Sequence, residues 1–175
     1  MTSAHFEARI LPLLDSAHNL ARWLLRDASA AEDVVQEASL RAWRYFSALR
    51  PHEDARPWFL GIVRNSCYSA LARERQRPDL ATLDEEGWER LEATAASDVP
   101  GPLAALGTQR EQAIIDAALR ALSPPLREVI VLREFEGLDY RDIARIAGLP
   151  IGTVMSRLSR ARSQLKHKLT LAGLP

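Results

Sequence analysis

Apolar residues recur along this chain at steps of three and four and rarely alternate. Leu11, Leu14, Ala17, Ala21, Leu24 and Leu25, with His18 among them, keep one helical face. Ala31, Val34, Val35, Ala38 and Ala42 keep another, with Trp43 expected beside them in the core. Ser29 and Glu32 have the spacing of a capping box and predict the start of that second helix. Its opposite face carries Asp33, Gln36, Glu37, Leu40 and Arg44, with no obvious apolar partner. Residues 49–57 hold two prolines among polar side chains and predict a loop. Pro57 is expected at the first position of the next helix, where its missing amide costs nothing. That helix runs to about residue 77, through Trp58, Phe59, Ile62, Val63 and Tyr68 to a basic end at Arg73, Arg75 and Arg77.

Periodicity then weakens. Residues 77–107 contain Pro78, Pro100, Gly101, Pro102 and Gly107, while Leu80, Leu83, Trp88, Leu91 and Val99 are thinly spread. The segment reads as a linker with one short helical turn. Helical spacing returns with Ala113, Ile114, Ala117, Ala118, Leu119 and Leu122. Ser123-Pro124-Pro125 ends that helix and opens the next, with Ser123 as N-cap and Gly137 as the following stop. The fold class predicted is all-α: two small helical domains, residues 1–78 and 108–175, joined by a flexible acidic linker, 79–107. The second is a four-helix domain.

The end of the second domain carries the sharpest signal. Asp139 is placed to cap a short helix in which Ile143 and Ile146 face inward and Ala144 permits a close crossing. Gly148 fits a tight turn needing positive φ, Leu149 plugs it, and Pro150 opens a longer helix. A short helix, a glycine turn and a longer basic helix are the parts of a DNA-binding helix-turn-helix. Val154, Leu158, Ala161 and Leu165 must face the core. The other side offers Ser156, Ser159, Arg160 and Ser163, with Met155 at its margin. Arg160 is placed to read guanine with two hydrogen bonds. Arg157, Arg162, Lys166 and Lys168 suit phosphates, as do Thr153 and the helix amino terminus.

Charge sharpens this picture. The formal net charge of zero, taken alone, argues weakly against nucleic acid, but the charges are segregated. Residues 57–78 carry four basic side chains against one acid, residues 79–107 one against seven, and residues 108–175 eleven against seven. Two basic segments flank an acidic one, which suggests two nucleic-acid contacts and a solvated spacer. Past Asp142 there is no acid at all.

Other functions find little support. Hydrophobic content of 47% excludes a wholly disordered chain. The single Cys67 forms no internal disulfide, which fits a reducing, cytoplasmic setting, and the amino terminus does not read as a secretory signal. His5, His18, His52 and His167 are scattered; no catalytic triad, phosphate loop or metal-ligand spacing is visible, so no enzyme, cofactor or metal is expected.

Three stretches carry a family resemblance. PLREVIVLREFEGLDYRDIARIAGLPIGTVMSRLSRAR resembles the domain by which sigma factors of the extracytoplasmic-function (ECF) group, within the sigma-70 family, bind the upstream "−35" promoter element. ASAAEDVVQEASLRAWRYF is similar to that group's core-polymerase-binding helix, and RPWFLGIVRNSCYSALARERQR to its helix for the "−10" element. The resemblance covers nearly the whole chain except the linker. It implies a transcription initiation factor for stress-type responses, partnered by core RNA polymerase, promoter DNA and an anti-sigma protein. Core binding would fall to Asp33, Gln36, Glu37 and Leu40, and melting and base capture to the loop 49–56 with Trp58, Arg64 and Asn65. Upstream reading would fall to Thr153, Met155, Ser156, Arg157, Ser159, Arg160 and Arg162. Met155, Ser159 and the loop 50–54 are individual to this chain, so the resemblance implies no particular promoter sequence. The acidic linker would run through the polymerase and imitate nucleic acid there. The competing reading is a two-domain regulator that shares the DNA-binding domain but needs no polymerase.

Overall fold

The structure, a computed structural model, describes residues 3–76, 80, 83, 85–92 and 108–174. All regular structure among them is helical. The first domain comprises α1 (Ser3–Ile10), α2 (Leu14–Leu25), α3 (Ala28–Tyr45) and α4 (Ala55–Glu74). Helix α5 (Glu85–Glu92) lies between the domains in sequence. The second domain comprises α6 (Gln109–Arg120), α7 (Pro124–Ile130), α8 (Tyr140–Ala147) and α9 (Ile151–Leu171).

Most of the periodic stripes become the core, although Leu11, Ala113 and Ala117 are exposed. Helices α2, α3 and α4 pack together through Leu20, Leu24, Val34, Val35, Phe59 and Val63, all at most 4% exposed. Three local expectations are corrected. The cap of α3 is Asp27, whose carboxylate accepts the Ala30 amide at 2.9 Å, so Ser29 and Glu32 lie inside the helix as exposed residues. Aspartate is as good an N-cap as serine, and it comes first along the chain. Helix α4 starts two residues before Pro57, capped by Asp54; the proline still falls in the first turn, where no amide has an intrahelical partner. Trp43 is also outside the core, 49% exposed, with its ring edge-on to Phe6 at 5.0 Å.

The described part of the linker is not merely a spacer. Leu80 and Trp88 are fully buried, and Trp88 stands edge-on to Tyr68 at 6.0 Å with the Arg75 guanidinium over its ring. The acids Asp79 and Asp84 and the stretch 93–107 lie outside the described residues.

In the second domain Thr108 and Glu111 form a complete capping box on α6. Ser123 holds the N-cap position of α7 without a side-chain cap bond. Helix α7 continues into a π-turn, Val131–Phe135, which Gly137 stops at φ 66°. The helix-turn-helix has the expected parts. Asp139 accepts the Asp142 amide at 2.8 Å, Gly148 takes φ 66° in the turn, and Pro150 precedes α9.

The two domains pack against each other. Helix α4 lies along α8, and α2 lies against α7. No described helix is long and apolar enough to cross a membrane.

Candidate nucleic-acid interface

Helix α9 presents two faces. Val154, Leu158 and Ala161 are at most 1% exposed and fix its rotation on α7. That fit leaves Met155, Ser156, Ser159, Arg160 and Ser163 on the open side. Thr153 is half-buried at the helix start, where the Ser156 hydroxyl donates to its carbonyl at 3.0 Å. Arg162 is exposed but donates to Glu134 at 2.6 Å, an ion pair that keeps it firmly charged. Arg157 departs from the open face: it is half-buried, and its charge bears on Tyr68 of α4.

The residues expected to meet the −10 element lie differently. Trp58, Arg64 and Asn65 line a cleft of about 340 Å³ whose far wall is Arg145, Ile146, Ala147 and Gly148 of the helix-turn-helix. Asn65 is exposed. Trp58 is half-buried, with its ring 6.4 Å from Phe46, so it packs and borders the cleft at once. Arg64 is taken. Its Nε donates to Glu128 Oε1 at 2.6 Å, and the Tyr68 hydroxyl donates to Glu128 Oε2 at 2.8 Å. Glu128 is 0% exposed and the Arg64 side chain 15%. Burial by itself would lower the Arg64 pKa, but the Glu128 carboxylate outweighs it and holds the guanidinium charged. Burial, joined by the same carboxylate, pushes the Tyr68 hydroxyl well up, so it remains a donor. Cys67 is pushed up for the same two reasons, burial first, and stays a thiol.

Further contacts close the seam. Arg56 donates to the Glu136 carboxylate and carbonyl, each at 2.9 Å, and Asn19 donates to the same carboxylate at 2.7 Å. Arg145 of α8 pairs with Glu53 of the first domain's loop at 2.7 Å. Arg127, wholly buried, donates to the carbonyls of Leu119, Arg120 and Leu122 near the end of α6 and to that of Trp23 near the end of α2. None of Glu128, Glu136 or Arg127 stood out in the sequence. No periodicity or motif marks these charged residues as buried partners of another domain.

The acidic side of α3 is open. Asp33 and Gln36 are exposed, Leu40 is 58% exposed, and Glu37 is half-buried beside Arg41 at 2.6 Å and Arg73 at 3.7 Å. Trp43 and Tyr45 extend the exposed apolar surface of this helix. No cluster of possible metal ligands occurs among the described residues.

Comparison with known proteins gives two family matches in succession along the chain. The family model "Sigma-70 region 2" matches residues 10–77, and "Sigma-70, region 4" matches residues 112–165. The chain is 32% identical over 163 residues to the RNA polymerase sigma-H factor of Pseudomonas aeruginosa, covering 91% of this chain and 84% of that one. It is 33% identical over 140 residues to the ECF RNA polymerase sigma-E factor of Haemophilus influenzae, covering 78% and 73%. A solved structure of the sigma factor RpoE in complex with the anti-sigma factor NepR, from Bartonella quintana, superposes with a TM-score of 0.75 at 29% identity, covering 95% and 97%. Fold and site thus define a helical DNA-binding protein of two modules. The chain belongs to the sigma-70 family of RNA polymerase sigma factors, in its ECF group.

Proposed function

We propose that this chain binds core RNA polymerase through Asp33, Gln36, Glu37 and Leu40 and directs it to promoters. Residues 1–78 hold polymerase and the −10 element, 79–107 connect, and 108–175 read the −35 element. Trp58, Arg64 and Asn65 meet the opening strand. Thr153, Met155, Ser156, Arg157, Ser159, Arg160 and Arg162 meet the upstream duplex, Arg160 at base edges and the other cations at phosphates. It works in the cytoplasm as a specificity subunit with no catalysis of its own. The carrying observation is the open face of α9, set by an apolar stripe at most 1% exposed and free of acids.

In the closed arrangement the two readers are unequal. The α9 face is open, whereas Arg64 is sequestered by Glu128. This favours a silent free form that must part along α4 and α8 before strand opening. Control by an anti-sigma protein follows as part of the same reading, since a partner that stabilises the closed form keeps Arg64 from DNA. The relative in complex with NepR supports it.

Transcription with purified core polymerase on a promoter library tests the proposal. Transcripts should appear only when chain and core are combined, from templates sharing an upstream and a −10 element. Sequence-specific DNA binding without any core association would instead identify a plain regulator.

A further inference from the structure

Helix α1 lies almost wholly outside the matched family region, which begins at residue 10. Yet it supplies the side chain on which the first domain's loop is built. Leu49, 1% exposed, anchors the loop, and the Glu53 amide donates to the Arg50 carbonyl at 3.1 Å, closing a turn. Arg50, Pro51 and His52 face outward at its tip. Arg9 grips that turn from beneath. Its Nη1 donates to the Arg50 carbonyl at 3.3 Å and its Nη2 to the Glu53 carbonyl. The same guanidinium stands 5.8 Å from the centre of the Phe46 ring, which in turn meets Trp58. One planar fork therefore sets both ends of the turn and, through Phe46, the wall that Trp58 forms.

We propose that Arg9 is a positioning residue for −10 recognition: it holds the loop 49–54 and Trp58 in the shape that captures an unstacked base, without touching DNA. The inference rests on the promoter reading given above. It differs from the other clamp on this loop, the Arg145–Glu53 pair, which joins the domains and is lost when they part. Arg9 belongs to the same domain as the loop, so its grip persists in the open form. Lysine carries the charge but not the planar fork that reaches the two carbonyls from separate nitrogens.

Holoenzyme reconstituted with Arg9→Ala or Arg9→Lys, transcribing templates randomised across the −10 element, tests the idea. Discrimination between the best element and its single-base variants should fall about tenfold in both variants, the scale of one lost base contact. Core affinity, binding to upstream duplex and the salt dependence of promoter binding should not change. Rescue by lysine, or a shallower salt slope, would make Arg9 a phosphate contact and overturn the proposal. Lower thermal stability with intact discrimination would overturn it too, leaving a purely structural bond. Failure of the promoter reading itself shows separately: wild-type holoenzyme would then display no −10 preference, and the inference would fall with it.

Discussion

Glu128 has no solvent exposure and holds two groups of the other domain, Arg64 and Tyr68. Its charge is matched by Arg64, so removing it strands a mostly buried cation. Losing one partner of such a pair costs about 3–5 kcal/mol. That cost falls on the closed form, because an open Arg64 regains water. Glu128→Gln should therefore raise polymerase-free binding of single-stranded −10 DNA, measured by fluorescence anisotropy; unchanged binding would count against sequestration of Arg64. On α9, the exposed Arg160 and the half-buried Lys168 further along should differ. Arg160→Ala should weaken upstream binding on preferred sequences by about 1–3 kcal/mol while sparing others. Lys168→Ala should weaken all sequences alike and reduce the salt slope by about one. Identical behaviour of the two variants would refute the assignment of faces.

Among the elements, what was legible followed periodicity. The stripe Val154, Leu158, Ala161 had to be buried whatever it met, because a helix with that spacing has only one apolar side. The helix-turn-helix was legible because its glycine and caps are local requirements: Gly148 does take positive φ, and Asp139 does cap. Near-equivalent local signals misled. Asp27 and Ser29 both suit an N-cap, and sequence alone does not rank two such residues a step apart. Pairing across domains was illegible, since Glu128 finds its partner 64 residues upstream and no periodicity records that. Trp88 was similarly hidden in a stretch too polar to show a stripe. Its full burial against Tyr68 makes α5 part of the packed structure. Trp88→Ala should cost about 3–5 kcal/mol in urea denaturation. A value near zero would show that α5 does not stay docked in solution.

For the whole molecule, the packing of α4 on α8 and α2 on α7 predicts a compact free chain. A globule of this length has a radius of gyration of about 16 Å. X-ray scattering should give that value for the free protein and a clearly larger one for the double variant Glu128→Arg, Glu136→Arg, which sets like charges against Arg64 and Arg56. A large radius for the wild type would mean the domains part freely without polymerase. Because the Arg64–Glu128 and Arg56–Glu136 pairs are partly or fully buried, moderate salt should change the wild-type radius little.

Arg127 gathers carbonyls from the ends of α6 and α2, so one guanidinium completes the hydrogen bonding of a helix in each domain. Arg127 and α6 both belong to the second domain, so it is the Trp23 carbonyl of the first that loses its donor when the domains part. The free chain should melt as one cooperative unit, with calorimetric and van't Hoff enthalpies in agreement. Arg127→Met removes the shared donor and should split that single transition in two. The stability of the first domain is thereby tied to the second, even though the proposed promoter-bound form would part them.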